Sequence, residues 1–241
     1  MRVPNSEHPM PPIPELPLHE ELLLLALRNR EGTLHWRAGN YRFALGGAIV
    51  AELLLAGRIG LTADRKQRVT VLDNRPLGDE LLDEALSRVV ATRRPARVES
   101  WVQRFATLRR LRHRTAASLC ARGILKETED TVLLVFRRKV YPECDPWIEQ
   151  RMVERLHRAI FLDETNVAPR TVALVALAEA TGLLAIVFSG KVLRQRKARL
   201  RQLREAEVFA GSAAKGVRDA IAAASAACAA ACAASAAAAA G

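Results

Sequence analysis

Five arginines, Arg104, Arg109, Arg110, Arg112 and Arg114, crowd one short stretch of this chain. Arg109 and Arg112 are spaced i, i+3, which on a helix places both guanidinium groups on one face. Two planar forks that converge in this way can grip one phosphomonoester through charge-assisted, bidentate contacts. A second stretch, Phe136–Trp147, interleaves Arg137, Arg138 and Lys139 with Tyr141 and Trp147. That mixture suits a shallow anchor at an anionic membrane surface, or an exposed strand that pairs with a second copy of the chain. Trp36 stands in a polar loop. It reads either as loop packing or as an aromatic at the headgroup level of a membrane.

Little else in the chain points to catalysis. Glu179 lies in an apolar run with no second carboxylate or histidine at a telling spacing, and His19, His35, His113 and His157 form no recognisable triad. No P-loop and no GxGxxG occurs, so neither an enzyme nor a cofactor is expected. The four cysteines, Cys120, Cys144, Cys228 and Cys232, form no CxxC and no zinc-type spacing. The expectation is no metal, no disulfide framework and a reducing cytosolic compartment. A net charge of +11 draws the protein to polyanions, either nucleic acid or a membrane face. Ala116–Phe136, a basic helix followed by strands, reads superficially as a winged-helix unit for nucleic acid. No compact helix-turn-helix precedes it, so nucleic acid is not the expected partner.

The elements that must position these residues are mostly helical. Aromatics are only 5% of the chain, so Leu, Ala and Val fill the core, which suits helices. Met1 to Glu15 reads as a flexible Pro-rich arm without a signal peptide, residues 16–225 as one helical domain, and residues 226–241 as an Ala-rich tail. Helices are expected over Leu16–Asn29 and Tyr41–Ala56, the second apolar on almost every face and ended by Gly57. Asp79 should cap a helix carrying the stripe Leu81, Leu82, Ala85, Leu86, Val89 and Val90. One long helix should follow from Val98 to Arg122, ended by Gly123. Ile59–Leu61 with Val69–Leu72 reads as a hairpin, and Ile124–Leu125 and Thr131–Phe136 read as two further short strands. Ile148–Ile160 is amphipathic. Thr171–Gly190 is long enough to span a bilayer, but Glu179 and Gly182 in its middle favour a buried bundle helix. Lys191–Val208 reads as one charged helix, and Ala220–Ala240 as a terminal packing helix.

Six blocks, in order, resemble one family. They are EELLLLALRNREGTLHW, ALGGAIVAELLLAGRI, GDELLDEAL, LRRLRHRTAASLCARGIL, YPECDPWIEQRMVERL and RTVALVALAEATGLLAIVF. Together they are similar to the Golgi phosphoprotein 3 family, and the short arm, alanine-rich tail and arginine bias fit a bacterial-type homologue. The resemblance implies a mainly α fold: a central helical bundle surrounded by amphipathic helices, with short β-hairpins. It also implies a peripheral membrane adaptor that binds the headgroup of phosphatidylinositol 4-phosphate in a basic pocket. Arg109 and Arg112 match the family's arginine pair, and Trp36 its loop tryptophan, one position out of register. A third family arginine falls on Gly46, with Arg42 one helical turn earlier as the candidate substitute. The implied partners are an anionic membrane, membrane-protein clients, and a second copy through the hairpin. The implied place is the cytosolic face of a membrane, the Golgi in a eukaryote or the inner membrane in a bacterium. Met1–Pro17 contains only Arg2, so the arginine-rich coatomer-binding segment of eukaryotic members is not expected here.

Overall fold

The computed structural model describes residues 15–64, 66–132, 136–205 and 214–240. At its centre stand three helices whose sequences are apolar nearly all round. These are α1 (Leu18–Ala26), α2 (Tyr41–Leu55) and α7 (Pro169–Ala180). All nine residues of α1 are buried, as are Phe43–Leu53 of α2 and Thr171–Ala178 of α7. A helix that offers no polar face can only be covered on every side, and amphipathic helices supply that cover. Two of them, α3 (Glu80–Val90) and α4 (Val98–Ala106), pack against α2. The Asp79 side chain caps α3, accepting from Leu81 N and Leu82 N at 2.9 Å each. The expected stripe is buried except at its last position, Val90, which is exposed.

Gly46 and Gly47 are the reason α2 packs so closely. A Cβ on Gly46 would stand 2.5 Å from Val102 O and 2.8 Å from Ala106 N, both backbone atoms of α4. On Gly47 it would collide with Cys228 Sγ. The pair costs helix propensity but lets two helices reach the α2 backbone from different sides.

Several elements are shorter than expected. The predicted helix Val98–Arg122 is two helices, α4 and α5 (Leu111–Ala121), joined by a turn in which Arg110 is left-handed (φ 54°). No Gly or Pro marks this break. The local signal is Thr107, whose hydroxyl donates to Arg104 O at 2.9 Å and so competes with the helical ladder. The break also lets both Leu108 and Leu111 turn inward. Thr171–Gly190 is interrupted by Gly182 (φ +79°) and continues as α8 (Leu184–Val187). It is therefore a buried bundle segment. The predicted charged helix Lys191–Val208 is α9 (Gly190–Gln195) and α10 (Lys197–Arg204). Arg196, at the break, donates to Ile160 O at 2.9 Å, and Arg199 to Ala159 O at 3.0 Å. These bonds satisfy carbonyls at the end of α6 (Pro146–Phe161).

The last helix, α11 (Ala214–Ala240), lies against α2, α4 and α7. Ala220, Ile221, Ala224, Ala227, Cys228 and Ala231 form its buried seam. A domain boundary at residue 226 falls inside that seam, so the alanine-rich segment belongs to the bundle as far as Ala231. Among the described residues, Gly216–Ala239 is the one helical segment long and apolar enough to cross a bilayer.

Two antiparallel hairpins complete the fold. β1 (Ile59–Leu61) pairs with β2 (Val69–Val71) in the expected place. β3 (Thr128–Val132) pairs with β4 (Phe136–Val140), Glu129 facing Lys139 and Asp130 facing Arg138. The predicted strand Thr131–Phe136 thus covers the inner ends of both strands, and residues 133–135 between them lie outside the described residues. Ile124 and Leu125 are buried ahead of the hairpin, with Leu125 bridging to Glu143.

Candidate anionic-headgroup site

The arginines at the α4–α5 junction differ in what holds them. Arg114 is ion-paired to Glu84 at 2.5 Å and Glu80 at 2.9 Å. Among the described residues, Arg109, Arg110 and Arg112 have no carboxylate within ion-pair distance. Arg109 and Arg110 are exposed and Arg112 is half-buried. The helix break means that Arg109 and Arg112 do not share a helix face as the i, i+3 reading required. Arg109 sits in the turn and Arg112 in the first turn of α5.

A hydrogen-bonded chain orients Arg112. Its Nη2 lies 3.5 Å from His113 Nε2, His113 Nδ1 lies 2.7 Å from Tyr141 Oη, and Tyr141 Oη is 3.5 Å from Glu127 Oε2. One tautomer satisfies every donor. Arg112 donates to Nε2, Nδ1–H donates to the tyrosine oxygen, and the tyrosine hydroxyl donates to Glu127. The His113 pKa is lowered by burial, and then by the charges of Arg112, Lys139 and Arg110. Glu127 opposes these three cations. The Tyr141 phenol is pushed up to about 12 by burial and by Glu127, so it stays neutral.

The hairpin expectation needs correcting. Tyr141 is 1% exposed and cannot touch a membrane. It is a buried support for His113. Trp147 is not on the hairpin but in the first turn of α6, half-buried, with the Arg151 guanidinium 4.9 Å from its ring. Arg137, Arg138 and Lys139 are exposed on β4 as expected, but each is paired with an acid of β3 or the residue before it. The partners are Glu129 at 3.7 Å, Asp130 at 2.7 Å and Glu127 at 2.6 Å. The two strands are therefore close to charge-neutral.

Trp36 is 78% exposed; its ring stacks with His35 and lies 4.6 Å from the Arg37 guanidinium. Arg37 is tied to Ala185 O at 3.0 Å. The same loop meets the hairpin base, where Tyr141 N donates to Gly32 O at 2.9 Å. No hydrogen bond, ion pair or cation–π contact joins Trp36 to Arg109 or Arg112, so the loop and α5 approach the hairpin base separately. Arg42 is exposed and lies over the Phe43 ring. The position matched to the third family arginine, Gly46, is closed by the α4 backbone.

Over residues 18–224 the chain matches the family described as Golgi phosphoprotein 3 (GPP34). The chain belongs to that family. Vacuolar protein sorting-associated protein 74 of Eremothecium gossypii is 30% identical in an alignment 208 positions long that covers 73% of this chain. The match spans 62% of that relative's length. Within this Golgi phosphoprotein 3 family chain, the residues that sequence reasoning missed are His113 and the supporting role of Tyr141. The adjacency of His113 to Arg112 was the visible signal; its partner 28 residues on was not.

Next to the site, Asn29 binds the Glu149 carboxylate through its side chain, and its carbonyl accepts from Glu143 N at 2.9 Å. Burial, and for Glu143 also the Glu149 charge, raises both carboxyls to about 7. Folded pKa values above the unfolded ones mean that the native state binds protons more tightly, so this pair costs stability once ionised. The cost is full above pH 8 and disappears as pH falls through 7 toward the ordinary carboxylate range. Glu149→Gln should raise the thermal midpoint at pH 8 and raise it much less at pH 5. A gain of equal size at both values would refute the titration account.

Proposed function

We propose that this Golgi phosphoprotein 3 family protein is a peripheral membrane adaptor. It docks on an anionic headgroup bearing a phosphomonoester, with phosphatidylinositol 4-phosphate as the reference ligand, at the cytosolic face of a membrane. Arg109, Arg110 and Arg112 receive the phosphate. The observation that carries this reading is their lack of carboxylate partners at the α4–α5 junction. Trp36, exposed on a loop joined to the same hairpin base, supplies an aromatic at headgroup level. The family membership and the sorting role in the name of the fungal relative support a place in membrane trafficking. The duplex nucleic-acid alternative gains nothing from the fold, since the basic side of the would-be wing is neutralised by its own acids.

Co-sedimentation with vesicles tests this directly. Vesicles containing a few per cent phosphatidylinositol 4-phosphate should pellet the protein better than charge-matched phosphatidylserine vesicles. Each basic residue near an anionic surface contributes about 1 kcal/mol, so Arg109→Ala/Arg112→Ala should weaken binding roughly 30-fold at low salt. Unchanged binding by the double variant would reject these residues as the site. Equal pelleting on all anionic vesicles would reduce the site to a general electrostatic anchor.

A further inference from the structure

A cavity of about 580 Å³ opens between α1, the start of α3, α5 and α7, apart from the headgroup site. His19 and Asp79 both line it. His19 is completely buried, yet neither ring nitrogen has a hydrogen-bond partner. Glu20, next in the chain and equally buried, has no hydrogen bond to either carboxylate oxygen and only a loose ion pair with Arg122. Buried polar atoms in folded proteins nearly always have partners, so three such atoms or more meeting at one place call for an occupant. One Asp79 oxygen caps α3, while the other faces His19 Nε2 at 3.5 Å, an ion-pair distance without a hydrogen bond.

We propose that His19, Glu20 and Asp79 form a binding site for a divalent transition-metal cation of the zinc class. Their ligating atoms all lie within 4.8 Å of one another. Metal–nitrogen and metal–oxygen bonds of about 2.0–2.2 Å require only small side-chain rotations to close from there. One imidazole and two carboxylates form a borderline donor set that suits zinc or cobalt over magnesium. The two carboxylates balance the dication, and the cavity leaves an open position for water. Arg122 stands 3.6 Å from Glu20, and its side chain is 37% exposed. It lines the same cavity and can swing into it as the cation takes its place. Neither CxxC nor HxxxH spacing announces this site, because residues 19, 20 and 79 meet only in the folded chain.

The test uses the full-length protein carrying Cys144→Ser, which removes an exposed thiol, after treatment with a chelator. Zinc titrated by calorimetry should bind at one site per chain and raise the thermal midpoint. Cobalt(II) should give visible d–d bands characteristic of four- or five-coordination. His19→Met keeps the volume and removes the ligand, and Glu20→Gln removes the charge. Both should fold by circular dichroism and lose at least ~100-fold in zinc affinity. Absence of stoichiometric zinc and cobalt binding by the parent protein would overturn the proposal, whatever the variants do. So would binding that survives both substitutions.

Discussion

Gly46→Arg, which restores the arginine expected at that position, will prevent the bundle from assembling rather than strengthen headgroup binding. Even Gly46→Ala places a Cβ 2.5 Å from Val102 O and 2.8 Å from Ala106 N, both fixed by the α4 ladder. The helices must separate by roughly an ångström. Overpacking of this kind costs about 1–3 kcal/mol, against which the better helix propensity of alanine returns at most ~1 kcal/mol. Gly46→Ala should therefore show a lowered denaturation midpoint with an unchanged slope. Gly46→Arg, whose guanidinium would be driven between two buried helices, should be recovered only as aggregate. A soluble Gly46→Arg variant with native stability would mean that α2 and α4 pack differently from the arrangement described.

Arg170→Met should be the most damaging single change outside the glycines. Glu52 is buried on α2, where it accepts from Leu18 N and from Arg170, and Arg170 also donates to Leu16 O at 3.0 Å. Removing the arginine strands a carboxylate in the bundle, which costs on the order of 3–5 kcal/mol. The pH dependence separates charge from packing. Burial raises the Glu52 pKa, with Arg170 opposing the rise, so without Arg170 the rise is larger. A carboxyl whose folded pKa exceeds its unfolded value weighs on stability above the folded pKa and is relieved as pH falls through it. The deficit of Arg170→Met should shrink between pH 8 and pH 5 when thermal midpoints are compared. Glu52→Gln/Arg170→Met should recover most of it at pH 8. A deficit independent of pH would assign the loss to packing instead.

Both predictions turn on residues that the sequence marks only in part. The apolar runs of α1, α2 and α7 announce buried helices from composition alone, and Asp79 announces its cap. The break at Thr107–Arg110 is announced only by Thr107, because helix-forming residues continue through it and tertiary burial of Leu108 and Leu111 decides against them. The same limit applied to the site. Spacing placed Arg109 and Arg112 together on a helix that does not extend that far. The run Arg137–Lys139 showed three cations but not the acids across the ladder that neutralise them. Gly46 was visible as a departure from the family pattern. That it serves as a contact point could be read only once α4 lay against it.

The seam of α11 has a consequence for biogenesis. It covers Gly47 and one side each of α4 and α7, yet it follows those elements in the chain. While the ribosome adds residues one by one, a long apolar trough on α2, α4 and α7 stays open until synthesis has passed Ala231. Closure is therefore a late event that joins distant parts of the polypeptide, the kind of step that is slowest in folding. During that interval the nascent bundle is a natural client for chaperones that shield hydrophobic grooves. A chain stalled before α11 would present quality control with that trough as its signal.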